Sequence, residues 1–201
     1  MILSFQVSNK INTIEKRVGT EVLISGNSLP TNVVINEILF DDALSGDAGE
    51  FIELYNPTAN EIDLSGWNIT DEESTGSEAI YTFPANCKIL SRGFIVIFKD
   101  IVPGQLISPD DVANDSLVQL FETITGPSDQ EDPRVTNLTR VGGYPSDINL
   151  ANTGDELYLF DASGTLVDSV SFGNPPYAGT LNELKLDDSG GEWNGFSLER
   201  V

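Results

Sequence analysis

Apolar and polar residues alternate in short runs along most of this chain, and Gly, Pro, Asn and Asp punctuate the runs. Glu50 to Asn56 sets Glu50, Ile52, Leu54 and Asn56 against Phe51, Glu53 and Tyr55, the period of two expected of a strand. Pro57 and Thr58-Ala59-Asn60 end that run, and the turn signal Asp63-Leu64-Ser65-Gly66 delivers Trp67 onto the next one, Trp67 to Thr70. Trp67 is read as core packing. Further strands are predicted over Val33–Phe40, Ile80–Phe83, Gly93–Lys99, Glu156–Phe160 and Thr165–Phe172. Asn152-Thr153-Gly154-Asp155 and Asp161-Ala162-Ser163-Gly164 read as tight hairpin turns. Helical periodicity is nearly absent, with Asp110 to Thr123 as the one candidate. The expected fold class is therefore all-β, an antiparallel β-sandwich, with a closed barrel of similar strand count as the alternative.

Two stretches depart from this rhythm. Residues 1–30 form an N-terminal arm with strand character: Leu3, Phe5 and Val7 alternate with Ser4, Gln6 and Ser8, and Val18, Val22 and Ile24 share a side. Gly26-Asn27-Ser28-Leu29-Pro30 separates the arm from the domain at 31–201. The arm either completes the chain's own sheet or pairs with the exposed edge of a neighbouring copy. Repeated head to tail, the second arrangement builds a filament or layer. The other stretch is the insertion 101–149, rich in Asp, Pro, Ser and Gly and too long for an ordinary connection. We expect an ordered insertion between two sandwich strands and, on its position alone, a candidate for binding.

The charge narrows the partners. Thirty-two acidic against ten basic residues give a net charge of −22. That field repels phosphate backbones, and Lys10, Lys16 and Arg17 form only a small basic group, so nucleic acid is not expected as a partner. Membrane insertion is not expected either, because no window approaches the roughly 18 apolar residues a spanning helix needs. No signal-peptide core is visible, so the protein is either cytoplasmic or begins after processing. Histidine is absent and Cys87 is the single thiol, which removes Ser-His-Asp and Cys-His catalysis and the usual zinc sets. Cys87 is expected as a small buried hydrophobe.

Candidate chemistry rests on carboxylates. Asp41, Asp42, Asp47 and Glu50 crowd a Gly-containing loop and supply the flexible oxygens that calcium takes; a solvated acidic loop is the alternative. Asp71, Glu72, Glu73 and Glu78, and Asp129, Glu131 and Asp132, are weaker sets of the same type. Glu37 and Glu53 lie mid-strand, Glu37 in alternation with Ile35 and Leu39, and a half-buried carboxylate needs a partner. Arg200 in the last strand is the expected partner, and a metal or acid/base pair is the alternative. Asn68, Asn114 and Asn137 open glycosylation sequons, a number that chance explains in this composition.

Val34-Ile35-Asn36-Glu37-Ile38, Gly49 to Asn56, Asp63 to Trp67, Leu150 to Leu157, Asp161 with Gly164, Val167 to Val170 and Ser197 to Arg200 follow one another in order. As a set they resemble the lamin-tail domain, in the form found in secreted and surface proteins of prokaryotes, over about residues 32–201 with the insertion unmatched. The resemblance implies an immunoglobulin-like β-sandwich, extracellular or at the cell surface, without a catalytic centre and used for attachment or assembly. We therefore expect no enzyme activity and no required cofactor, and self-association or a surface polymer as partner. The alternative is an accessory module for polysaccharide or another surface polymer, with Tyr144, Tyr177, Trp193 and Phe196 as its aromatics. A metal-dependent hydrolase is the least favoured reading.

Overall fold

The computed structural model describes residues 5–9, 31–41, 50–71, 80–98, 117–123, 136–140, 150–173, 182–185 and 196–200. The first strands are β1 (Phe5–Asn9), β2 (Val34–Leu39), β3 (Phe51–Tyr55), β4 (Ile62–Asp63) and β5 (Asn68–Thr70). The middle of the chain forms β6 (Tyr81–Thr82), β7 (Lys88–Ile89), β8 (Phe94–Phe98), β9 (Val118–Glu122), β10 (Thr136–Asn137) and β11 (Thr139–Arg140). The last four are β12 (Gly154–Phe160), β13 (Leu166–Gly173), β14 (Asn182–Lys185) and β15 (Phe196–Arg200). No helix among the described residues is long and apolar enough to cross a membrane.

One sheet runs β1-β15-β2-β3-β8-β9-β10 and the other β11-β6-β5-β12-β13-β14, with β4 and β7 as a separate small pair. Their inner faces close on one core. Ile35, Ile38, Ile52, Leu54, Ile95 and Ile97 come from the first sheet, and Ile69, Tyr81, Leu157, Leu159, Val170 and Phe172 from the second. The all-β immunoglobulin-like sandwich expected from the sequence is the fold observed, and Trp67 lies in its core, 8% exposed.

The insertion contributes strands to both sheets. β9 lies parallel to β8, β10 lies parallel to β9, and β11 is antiparallel to β6. Together with the parallel pair β13–β14, these make the sandwich mixed rather than purely antiparallel. Parallel neighbours need a crossover connection, and for β8–β9 and β9–β10 the length of the insertion supplies it. The helix candidate Asp110–Thr123 is corrected where it is described: Val118–Glu122 is a strand. Its alternation decides this, since Phe121 enters the main core while Leu120 and Val118 join Phe51, Val96 and Phe98 on the opposite face of the sheet.

The two D-x-S-G turns share one geometry. Asp63 Oδ1 accepts from the Ser65 amide at 2.9 Å and its hydroxyl at 2.5 Å, and Gly66 takes φ +75°. Asp161 Oδ1 accepts from the Ser163 amide at 2.8 Å, its hydroxyl at 2.6 Å and the Thr165 amide at 2.9 Å, with Gly164 at φ +80°. The Asp cap mimics a backbone turn, and glycine takes the left-handed position without a Cβ penalty. The Asp161 turn closes the β12–β13 hairpin, whereas the signal at Asn152–Asp155 forms a turn leading into β12, with the Gly154 amide on the Ala151 carbonyl at 3.1 Å.

These bonds hold both turn carboxyls below the ordinary Asp value of 3.8; the Ser65 hydroxyl is the main cause for Asp63 and the Ser163 hydroxyl for Asp161. A depressed folded pKa means that the turns' stabilisation is complete above the unfolded-chain value and is lost as pH falls through the lower folded one. Carboxyl-carbon NMR is expected to place both midpoints below 3.8, while the same groups titrate at the ordinary value in urea. Midpoints unmoved between the two conditions would remove the caps from the account.

At the opening of the hairpin, Gly154 faces Gly173 across the ladder. Gly154 has φ +147°, and a Cβ there would meet Gly173 Cα and the Phe172 carbonyl oxygen at 2.8 Å. Gly154→Ala is expected to cost on the order of 1–3 kcal/mol. A urea midpoint unchanged by that substitution would show that the hairpin opens easily at this position.

Candidate functional site

One edge of the first sheet has a strand order that departs from chain order. Among the described strands, the first, β1, does not lie beside the second, β2; the last, β15, sits between them. All five residues of β15 pair with β1, from Phe5↔Arg200 to Asn9↔Phe196. Toward β2 the pairing is shorter, Leu198↔Ile38 and Glu199↔Glu37. The part of the arm that is described therefore completes the chain's own sheet as the outermost of its described strands, and the second alternating run, with Val18, Val22 and Ile24, lies outside the described residues.

Side chains fasten β15 to the domain from both faces. On the inner face Leu198 enters the core, and Arg200 Nη2 donates to Asp168 Oδ2 of β13 at 2.8 Å. The same oxygen accepts the Ile35 amide of β2 at 2.8 Å, so one carboxylate ties β2, β13 and β15 together across the two sheets. Asp168 is 4% exposed and Arg200 9%. Burial pushes the Arg200 guanidinium below its ordinary value, and the neighbouring Asp168 charge works against that shift. On the outer face the Ser197 hydroxyl donates to Glu37 Oε1 at 2.5 Å.

This corrects the partner expected for Glu37 and Glu53. A bulge between Ile35 and Glu37 shifts the register of β2, so Ile35 and Ile38 both face the core. Glu37 stands directly opposite Glu53, which accepts from Asn36 Nδ2 at 2.7 Å, while Arg200 points into the core to Asp168. The residue that sequence reasoning missed is Asp168. Its signal was present, because it alternates with Leu166, Val170 and Phe172 on the apolar side of its strand.

Asp41 and Glu50 flank the end of the β2–β3 pair, next to the Leu39↔Phe51 rung, and both are buried, at 4% and 3% exposure. Asp42 and Asp47 lie outside the described residues. Beside Glu50 is a cavity of about 20 Å³, lined also by Phe51, Ile52, Ile97, Phe98, Thr123 and Leu150. It has room for one water molecule. Among the described residues no three His, Cys, Asp or Glu side chains are grouped to hold a metal ion. Asp71 is buried at the end of β5, whereas Glu72, Glu73, Glu78, Asp129, Glu131 and Asp132 lie outside the described residues.

Of the proposed aromatic group, Phe196 opens β15, and Tyr144, Tyr177 and Trp193 lie outside the described residues. The Asn68 amide is engaged with Thr82 Oγ1 at 2.6 Å and the Gly66 carbonyl at 3.3 Å, which leaves it poorly placed as a glycan acceptor. Asn137 lies in β10, and Asn114 is outside the described residues. Cys87 is buried as expected; burial pushes its thiol up to about 11, with the Asp63 charge adding to the shift.

The two packed sheets, the capped turns and the inter-sheet carboxylate tie define an immunoglobulin-like β-sandwich module. The sequence profile of the family described as Lamin Tail Domain matches residues 27–174, and the chain belongs to that family. The match begins inside the linker-like break and ends one residue after β13, so β1 and β15 both lie beyond it. No curated protein matches the chain. Among solved structures it is similar to a DUF4876-family protein from Bacteroides thetaiotaomicron, with 15% identity and a TM-score of 0.53. That similarity covers 79% of this chain and 57% of the other, and it is a likeness of fold.

Proposed function

We propose that this protein is a non-catalytic structural or adhesion module, acting outside the cell or at its surface, that self-assembles head to tail through strand pairing by its N-terminal arm. The observation that carries the reading is the place of β1: a terminal strand at the very edge of a seven-stranded sheet, joined to the domain through β15. Edge strands offer a row of backbone donors and acceptors to another chain, and a repeated heterologous contact of that kind extends without closing. Membership of the lamin tail domain family supports a non-catalytic module in general. Calcium is proposed as an accessory to assembly, bound at the Asp41, Asp42, Asp47 and Glu50 loop, and the high negative charge gives it a further role in screening repulsion between copies.

Light scattering of the purified chain, in calcium and in excess chelator, beside a chain lacking residues 1–30, tests this. Polymers are expected from the full chain and monomers from the shortened one, with smaller particles in chelator. Monomers under every condition would overturn the assembly reading. Equal polymer from the shortened chain would remove the arm from it.

A further inference from the structure

The β1–β15 edge carries an asymmetry between the two strands. β15 is held by Leu198 in the core, by Ser197 on Glu37 of β2 and by Arg200 on Asp168 of β13, each a contact with the body of the domain. The backbone hydrogen bonds of β1 run to β15 alone among the described strands. If β1 leaves, β15 keeps its anchors and its pairing to β2, and the backbone groups on its outward edge are left open in a fixed register. Such an edge is an acceptor for an antiparallel strand of the same sequence.

The connection is long enough to reach one. Residues 10–33 separate β1 from β2, whose places in the sheet are only two strand spacings apart, about 10 Å. Extended, those two dozen residues reach roughly 80 Å. The chain between the strands therefore does not dictate that β1 fills the β15 edge of its own molecule.

Building on the assembly reading above, we propose that β1 is an exchangeable strand: the β15 edge of one copy accepts the β1 of a second copy, so that molecules join by donating arms rather than by stacking outside β1. The occupant is another copy of this chain, because its β1 forms the same five rungs, Phe5↔Arg200 through Asn9↔Phe196. Closed and exchanged forms make the same backbone bonds, so their balance is set by the effective concentration of the tethered arm, on the order of millimolar for intramolecular tethers in general. Each donor vacates its own β15 edge and can receive in turn, which lengthens the chain of copies unless the geometry closes a ring.

Disulfide trapping across one rung reads this directly. Gln6 faces Glu199 in the β1–β15 register. A Gln6→Cys chain is mixed with a Glu199→Cys chain at about 1 mM, near the effective concentration of the arm, and oxidised with glutathione disulfide; Cys87 stays in place because it is buried. A mixed Gln6→Cys with Glu61→Cys sample controls for random collision, since Glu61 is exposed and belongs to neither strand. A covalent heterodimer is expected from the first mixture and not from the control. The doubly substituted Gln6→Cys, Glu199→Cys chain is expected to run as a ladder of multimers. A doubly substituted chain that links only within itself, with no heterodimer in the mixture, overturns exchange. Polymers seen by light scattering in that case leave assembly standing through addition outside β1, and their absence removes both readings.

Discussion

Asp168→Ala is expected to cost about 3–5 kcal/mol, the largest effect of any single polar substitution considered in this fold. The carboxylate is 4% exposed and accepts two hydrogen bonds on one oxygen, from the Ile35 amide and the Arg200 guanidinium, each at 2.8 Å. Its removal leaves a buried cation that cannot shed its proton within the stable pH range, along with a β2 amide that loses its acceptor. The reading is a shift of the urea midpoint with the slope unchanged. Replacing both Asp168 and Arg200 by Leu is expected to recover much of the loss, because the charge burial disappears with the pair. The Ile35 amide still lacks its acceptor in that double variant, at about 1–3 kcal/mol. A loss below about 1 kcal/mol for Asp168→Ala would be that of a surface pair and would mean that water reaches this site.

Phe172→Ala is expected to lose a similar 3–5 kcal/mol by a different route. Phe172 is 1% exposed, and its ring centroid lies 4.5 Å from that of Phe40, also 1% exposed, at the end of β2. The pair closes the core where β13 of one sheet meets the end of β2 from the other. Truncation forfeits the transfer energy of a ring and leaves a cavity that rigid strands on both sides fill poorly. Leu117→Ala is the matched control: Leu117 is 41% exposed and its loss is expected to stay within about 0.5 kcal/mol. Equal urea midpoints for the two variants would mean that the sheets do not meet at Phe172.

Local signals carried much of this fold. The alternation read for Phe51 to Tyr55 separates the same two sets in the fold, with Ile52 and Leu54 in the main core and Phe51 on the outer face. The D-x-S-G signals at 63–66 and 161–164 form capped turns because every atom they need lies within five residues. The same locality accounts for Trp67, which follows a turn directly into the core. The ordered motifs also carried the lamin tail assignment, which residues 27–174 bear out.

Non-local features were not legible. One extra residue in β2 moves Ile38 into the core and turns Glu37 to the outer face, and a bulge leaves no mark in a hydrophobic pattern read at fixed period. Val118–Glu122 resembled part of a helix because a short apolar run satisfies either period; pairing with β8 made it a strand. The carboxylate that Arg200 takes depends on which sheet face each residue occupies, and Arg200 and Asp168 meet only once the two sheets pack.

By itself the sequence determined the strand periods, the turn chemistry, the acidic surface and the sandwich class, since each follows from residues a few positions apart. Tertiary structure alone decided that, among the described strands, the last lies between the first and second and three pairs run parallel, and that Asp168 joins β2, β13 and β15. Such choices are made between segments far apart in the chain, where backbone hydrogen bonding is satisfied equally well by many partners and the packing of the common core selects one.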